Sequence, residues 1–251
     1  MKVSIITAVR NGAEAIGATL DSVAEQSYVD IEHIVVDGAS TDATVAVVRE
    51  RGRRVAKLLS EPDRGVYDAF NKGLALATGD VVAFLNAGDS YLDAGVVATV
   101  ANAFSAEDVD AVFGDVLIVD PQDPGRVLRH YRSAGFSPAR LASGFMPAHP
   151  SLFLRGELYR RLGGYDASYR IAGDFELCVR AFVHERARYR YLPRALVRMP
   201  QGGLSTRGWR SNWIITSEMR RACLRNGVAT SLPRLLLRFP VKLLEVLRAS
   251  G

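Results

Sequence analysis

Cysteine is scarce in this chain of 251 residues: Cys178 and Cys223 are the only two, and neither spacing nor number suggests a metal site or a disulfide framework. Both fall in helix-like sequence, so the expectation is a reduced, cytosolic protein. Long apolar runs are also missing. No segment reaches the roughly 18 uninterrupted apolar residues that a bilayer-spanning helix needs, and the opening stretch MKVSIITAVRNG breaks at Arg10. That opening reads as a first strand rather than a signal peptide. Two phosphate-binding loops are absent as well. Without G-x-x-x-x-G-K-S/T, or G-x-G-x-x-G after a strand, P-loop NTPases and dinucleotide dehydrogenases are disfavoured. Composition is near average, at 48% hydrophobic and 24% charged with 22 Gly and 10 Pro, which excludes disordered, collagenous and disulfide-scaffold classes.

Charge is present but unevenly placed. From Arg207 to Gly251 nine Arg/Lys face Glu218 and Glu245, a net of +7, which leaves −2 on the first 206 residues out of a total of +5. The basic character belongs to the C-terminal segment, so no nucleic acid is expected as a partner of the main domain. In residues 232–248 the charges at 234, 238, 242, 245 and 248 cover an arc of roughly 120° at about 100° per residue. Leu235, Leu236, Phe239, Leu243, Leu244, Val246 and Leu247 fill much of the rest, with Pro240 as an interruption. The pattern is a basic amphipathic helix suited to an anionic membrane surface. A helix packed on the domain or a dimer contact fits the same pattern.

The first hundred residues alternate strand and helix. Val3–Thr7, Ile34–Val36, Val55–Leu59 and Val81–Leu85 are short apolar runs. Between them lie helical patterns through Ile16, Leu20 and Val23, through Val45 and Val48 after a cap at Thr41 or Asp42, and over Tyr67–Ala77. Continuous apolar strands separated by amphipathic helices imply an α/β fold with a mostly parallel sheet covered on both faces. Ligands of such sheets bind at the carboxyl ends of strands, which brings Thr7, Arg10, Asn11, Asp37, Asn86 and Asp89 toward one edge. After residue 105 the alternation stops. Ala111–Phe113, Val116–Val119, Arg126–Tyr131 and Ser151–Leu154 read as strands, and Asp174–Val183 as a helix that Asp174 could cap. The expected organisation is one domain over 1–206, with halves 1–105 and 106–206, and a basic helical tail over 207–251.

Specific motifs then succeed one another in order. Ser4-Ile5-Ile6-Thr7-Ala8-Val9-Arg10-Asn11 is followed by Val35-Val36-Asp37-Gly38-Ala39-Ser40-Thr41-Asp42, and then by the run from Glu61-Pro62-Asp63-Arg64-Gly65 to Asn71-Lys72-Gly73. Phe84-Leu85-Asn86-Ala87-Gly88-Asp89, His149-Pro150-Ser151, Gly163-Gly164-Tyr165-Asp166 and Ala172-Gly173-Asp174-Phe175-Glu176-Leu177 follow. Over residues 3–205 this succession strongly resembles the family 2 glycosyltransferases.

The resemblance implies a GT-A fold and transfer of a sugar from a nucleotide-sugar, a UDP-sugar by the match at Asp37, with inversion at the anomeric carbon. By position Thr7 and Asn11 would line the nucleotide pocket, and Asp37 would accept a hydrogen bond from the base. Asp68 and Asn71 would lie by the ribose and diphosphate, with Lys72 adding charge. Asn86 and Asp89 stand in the place of the acidic metal element, Asp89 as ligand of Mg²⁺ or Mn²⁺. Asn86 and Gly88 replace the aspartates of more acidic members, which weakens the case for strict metal dependence. Asp174 matches the catalytic base, a carboxylate that takes the proton of the acceptor hydroxyl. His149 would contact diphosphate or acceptor or be a loop histidine; Asp115 would face the donor sugar or occupy a turn. Gly202-Gly203-Leu204-Ser205 resembles a loop closing over the site. The acceptor implied is a glycan or lipid-linked hydroxyl in cell-envelope synthesis, and the expected location is cytoplasmic, peripheral on the inner face of the plasma membrane. The competing readings are a non-catalytic subunit that keeps the fold to bind a partner or lipid, and a nucleotidyltransferase, which the lack of a Gly-rich basic loop after the first strand disfavours.

Overall fold

A computed structural model describes residues 1–202 and 208–239. In chain order the elements are β1 (Val3–Val9), α1 (Ala13–Ala24), β2 (Ile31–Asp37), α2 (Thr44–Arg51), β3 (Val55–Ser60), α3 (Val66–Leu76) and β4 (Val81–Phe84). Then come β5 (Ser90–Tyr91), α4 (Val96–Ala106), β6 (Ala111–Val119), β7 (Val127–Tyr131), β8 (Leu152–Arg155), α5 (Gly156–Leu162) and α6 (Gly173–Val179). The last are β9 (Tyr189–Pro200), α7 (Gly208–Arg225) and α8 (Leu232–Leu236).

The strands form one sheet in the order β3-β2-β1-β4-β8-β6-β9-β5, with β7 paired to β6. Pairing is parallel from β3 through β4 and between β6 and β9. The remaining pairings, β4–β8, β8–β6, β6–β7 and β9–β5, are antiparallel. The mostly parallel expectation therefore holds for the first half, and the antiparallel pairings carry the second. Side chains alternate across the central strands. Ile6, Val82, Phe84, Leu152 and Leu154 join a core under α3, α5, α6 and α7. Val3, Ile5, Val81, Ala83 and Phe153 join another under α4. Burial on both faces is why these strands read as unbroken apolar runs.

Local chemistry explains how the segments end. In α1, Ile16, Leu20 and Val23 are buried at spacings of four and three. Neither Thr41 nor Asp42 caps α2: the N-cap is Ala43, and the Asp42 carboxylate accepts the backbone N–H of Thr44 at 3.0 Å and of Ala13 at 3.2 Å. That carboxylate ties the start of α2 to the start of α1. The two expected strands at 111–113 and 116–119 are one strand with register shifts around Asp115.

The C-terminal elements are part of the body rather than an appendage. Met219, Ala222 and Cys223 of α7 and Leu235 of α8 are buried in the α3/α6 core. Elements of the segment expected as a tail over 207–251 therefore contribute to this core. Arg238, expected on a solvated charged face, is 3% exposed. Residues 240–251 of the expected amphipathic helix, and 203–207 of the expected closing loop, lie outside the described residues. No helix among the described residues is long and apolar enough to cross a membrane.

Candidate functional site

A cavity of about 410 Å³ opens in the second half of the sheet, beside the carboxyl end of β4. Asn86, Asp89, His149 and Asp174 line it together, although up to 88 positions of sequence separate them. Volume and mixed polarity suit a small-molecule site.

The turn after β4 is built to present Asp89. The Thr19 hydroxyl of α1 donates to the Asp89 carbonyl at 2.7 Å and accepts the Gly88 N–H at 2.9 Å. Gly88 has φ +99°, a backbone region that favours glycine, so an aspartate here would be strained in this turn. Burial pushes the Asp89 carboxyl up to about 7, against a hydrogen bond from the Asn86 backbone. Asn86 Oδ1 is buried with no hydrogen-bond partner. A buried carboxylate without a paired cation among the described residues, beside an orphaned carbonyl oxygen, fits one hard divalent cation. No group of three or more His, Cys, Asp or Glu that could hold such an ion is found among the described residues, so ligands from outside these side chains would have to complete its shell.

Asp174 sits in the first turn of α6, whose N-cap is Ala172, so it does not cap the helix. Its Oδ1 accepts the Phe175 N–H at 2.8 Å and lies 3.5 Å from the Tyr67 hydroxyl. Burial pushes its pKa up to about 6, opposed by those hydrogen bonds and reinforced by the charge of Glu218. Glu218 of α7 accepts the backbone N–H groups of Arg170, Ile171 and Ala172 at 2.7, 2.9 and 2.8 Å. A carboxylate with three such donors pins the loop that delivers Asp174. Tyr67 donates to the Ile171 carbonyl in the same loop.

Gly173 is required by contact: a Cβ there would fall 2.8 Å from the Tyr67 ring, which is buried and stacks on Tyr165 at 5.6 Å. Gly173→Ala is expected to cost about 2 kcal/mol through overpacking and to lower transfer roughly tenfold by displacing Asp174. Thermal melting and initial rates check this; a variant indistinguishable from wild type in both refutes the tight fit.

His149 Nε2 lies 2.8 Å from the Tyr165 hydroxyl, and burial pushes the imidazole down to about 4. It is neutral at pH 7 and offers hydrogen bonding rather than charge. Asn71 bonds both ways to the Tyr165 backbone, its Oδ1 accepting at 2.8 Å and its Nδ2 donating at 2.8 Å. Its side chain thereby orients the residue that holds His149, and it faces a separate pocket with Gly164 and Arg160.

The other first-half residues expected at the site are not among this cavity's lining residues. Asp37 is buried, and its carboxylate accepts the Ser40 N–H at 3.0 Å, the Ser60 hydroxyl at 2.6 Å and the Ser40 hydroxyl. A carboxylate offers about four acceptor positions, and these bonds fill three of them. Asn11, at φ +49°, accepts the Thr41 N–H at 2.9 Å and locks the loops after β1 and β2 together. Asp63 lies over Gly38, where a Cβ would come within 2.2 Å of its carboxylate. Thr7 is fully buried: its hydroxyl donates to the Leu85 carbonyl at 2.7 Å and lies 3.0 Å from His33 Nε2. It braces the strand end that carries Asn86. Asp68 pairs with Arg64 at 2.9 Å, which holds its carboxyl below the usual range. Lys72 pairs with Glu61 at 2.8 Å and donates to the Pro62 carbonyl at 2.6 Å, which secures the loop carrying Asp63.

Asp115 does not line the cavity's carboxylate group. Its Oδ1 accepts the Ser133 N–H at 2.8 Å and the Tyr191 hydroxyl at 3.0 Å, and its Oδ2 meets His130 Nε2 at 2.8 Å. It fastens β6 to β7 and β9. The sequence patterns had not marked Tyr67, Asp63, Glu218 or Arg238 as site residues. The motifs quoted contain Asp63, but Glu218 and Arg238 lie in a segment read as a tail.

Comparison with known proteins adds four findings. The model described as Glycosyl transferase family 2 matches residues 4–158. A PGL/p-HBAD biosynthesis glycosyltransferase of Mycobacterium bovis (strain BCG / Pasteur 1173P2) is 34% identical over 194 residues, covering 75% of this chain and 73% of that protein. Among solved structures, S. aureus TarS 1-349 in complex with UDP-GlcNAc superimposes with a TM-score of 0.71 at 18% identity, over 89% of this chain and 67% of that one. The mannosyltransferase PcManGT from Pyrobaculum calidifontis, in complex with GDP-Man and Mn²⁺, gives 0.66 at 22% identity, over 99% and 73%. These two likenesses show the fold.

Proposed function

This chain belongs to glycosyl transferase family 2, and from that membership we propose that it moves a sugar, with inversion, from a UDP-sugar to a hydroxyl of a glycan or lipid-linked acceptor in cell-envelope synthesis. It is a nucleotide-sugar-dependent glycosyltransferase with the GT-A fold.

The observation that carries the finer reading is the shared cavity, with two carboxylates of raised pKa on its wall, Asp89 and Asp174. In the proposed reaction the acceptor O–H gives its proton to Asp174 while its oxygen bonds to the anomeric carbon. The bond from that carbon to the diphosphate oxygen breaks, and its electron pair leaves with the nucleoside diphosphate. Attack opposite the leaving group inverts the centre. Asp89 and the Asn86 side-chain oxygen would hold Mg²⁺ or Mn²⁺, which supplies charge to the departing diphosphate. Asn11, Asp37 and Asp63 form the shelf for the nucleoside, with Asp37 as the acceptor of a hydrogen bond from the base. Support for a bound nucleotide-sugar comes from TarS, whose structure holds UDP-GlcNAc, and for a divalent ion from PcManGT, whose structure holds GDP-Man and Mn²⁺.

Residence on the inner membrane face belongs to the same proposal. Its support is a set of exposed apolar residues in α7 and at the end of α8, with Trp213 61%, Leu236 46% and the C-cap Leu237 57% exposed, in a basic segment. The catalytic part is tested by release of free nucleoside diphosphate from UDP-sugars and GDP-sugars with an envelope glycan fraction, in wild type and Asp37→Ala. UDP release that depends on the acceptor fraction and falls at least tenfold in the variant agrees with the proposal. GDP-sugars as the better substrates, or an unaffected variant, contradict it.

A further inference from the structure

Part of the cavity's lining is basic. Arg129 in the middle of β7, Arg132 just past it, Arg140 in the turn Pro138–Ser143, and Arg238 just past α8 all line it. Arg238 is the informative one. It is 3% exposed, its Nη1 lies 2.8 Å from Met219 Sδ, and its Nη2 donates to the Thr216 hydroxyl at 2.7 Å. Its Nε is buried without a partner, and among the described residues no carboxylate pairs with it. A guanidinium stays charged in proteins, and a buried charge is costly without a counter-charge. Arg140 has no carboxylate partner among the described residues either. It is held by the Gly135 carbonyl at 2.7 Å and lies 4.3 Å over the Phe145 ring.

We propose that this basic wall binds an anionic group, phosphate or carboxylate, carried by the sugar acceptor, with Arg238 as the principal contact and Arg140 as the second. The inference rests on the reading of the cavity as the transfer site. Guanidinium forks match the planar carboxylate and the phosphate oxygens, and an anion here satisfies the orphaned Nε–H of an arginine that has no carboxylate partner among the described residues. Placement favours the acceptor over the donor diphosphate. Asn86 and Asp89 line the same cavity as Asp174, but Arg238 contacts Thr216 and Met219 of α7, the helix whose Glu218 holds the loop that delivers Asp174. Glu218, next to Met219, holds the loop of the base, so the anion and the reacting hydroxyl would be fixed by adjoining residues. Burial also pushes the Arg238 guanidinium's pKa down from its usual range, the reverse of what an ion-paired arginine shows.

The test uses the full chain and ligand-observed NMR with glycerol 1-phosphate and glucuronate as anionic probes and glycerol as the neutral control. UDP and GDP, each with Mn²⁺, are titrated separately. Expected is binding of at least one anionic probe and not of glycerol, unchanged when the donor nucleotide is saturating. Arg238→Gln should weaken the probe at least tenfold and leave nucleotide affinity within twofold; Arg140→Gln, at an exposed position, should weaken it by a smaller factor. If Arg238→Gln fails to fold by thermal melting, Arg140→Gln and Arg238→Lys decide in its place. Absence of probe binding in wild type overturns the proposal, as does an unaffected Arg140→Gln in a background where Arg238 cannot be tested. Competition by the nucleotide, with loss of nucleotide affinity in the arginine variants, also overturns it and gives the arginines to the donor diphosphate. Failure of both nucleotides to bind strikes instead at the transfer-site reading, and is read independently of the probes.

Discussion

Asp174→Asn is expected to lower sugar transfer by about 10²–10⁴-fold, the range for loss of a general base, with nucleotide affinity within twofold of wild type. Asparagine keeps the size of the side chain and can still accept the Phe175 N–H, so geometry survives while proton acceptance is lost. The raised pKa of Asp174, about 6, adds two consequences. The base acts only when ionised, so kcat/KM should climb as pH rises through about 6 and then level off, a limb absent from the residual activity of the variant. A carboxyl whose folded-state pKa lies above its unfolded value binds its proton more tightly when folded, so its ionised form at pH 7 disfavours folding. The neutral variant should therefore melt at an unchanged or higher temperature. A variant retaining more than a tenth of wild-type transfer, or losing activity together with stability, removes Asp174 from the role of base.

Glu218→Ala carries the second largest effect, from a residue that touches neither substrate. Its carboxylate gathers three consecutive backbone N–H groups ahead of Asp174. Truncation leaves those donors to water or unpaired and costs about 2 kcal/mol, on the order of 4–8 °C in melting temperature for a chain of this size. The freed loop should also lower kcat by roughly tenfold to a hundredfold, since small displacements of a reacting group are expensive. Glu218→Gln separates position from mere stability. Its amide oxygen still accepts part of the set, so kcat should be partly restored. The lost negative charge no longer raises the Asp174 pKa, so the acidic limb of the pH profile should move to lower pH. A Gln variant with an unmoved limb and wild-type kcat would reduce Glu218 to a surface residue.

The sequence conveyed some of this architecture and hid the rest for identifiable reasons. β1, β2 and β4 were legible because strands covered on both faces are continuously apolar, and α1 because Ile16, Leu20 and Val23 share a face. β9 was not legible: Arg190, Arg194 and Arg198 recur every four residues and Pro193 interrupts the run, so neither an apolar block nor a clean alternation is visible. Its pairing with β6 and β5 is a tertiary fact. At the site, Asn86, Asp89, His149 and Asp174 stood out as motif residues, and the fold brings them to one cavity. Thr7 and Asn71 stood out for the same reason and Asp115 as a residue at a strand end, but their side chains are committed to Leu85, Tyr165 and Ser133. Glu218 escaped because its partners lie 46 to 48 positions upstream. Arg238 escaped because helical periodicity assigns a charge to the solvent side and cannot reveal that a cavity lies there.

The most direct test of the account is calorimetric titration of UDP and GDP into the full chain, with and without Mg²⁺ or Mn²⁺, in wild type and Asp89→Ala. The account predicts that UDP binds better than GDP, that divalent metal strengthens UDP binding, and that Asp89→Ala removes at least tenfold of the metal-dependent affinity. Binding that ignores both the metal and Asp89, or no binding of either nucleotide under any condition, contradicts it.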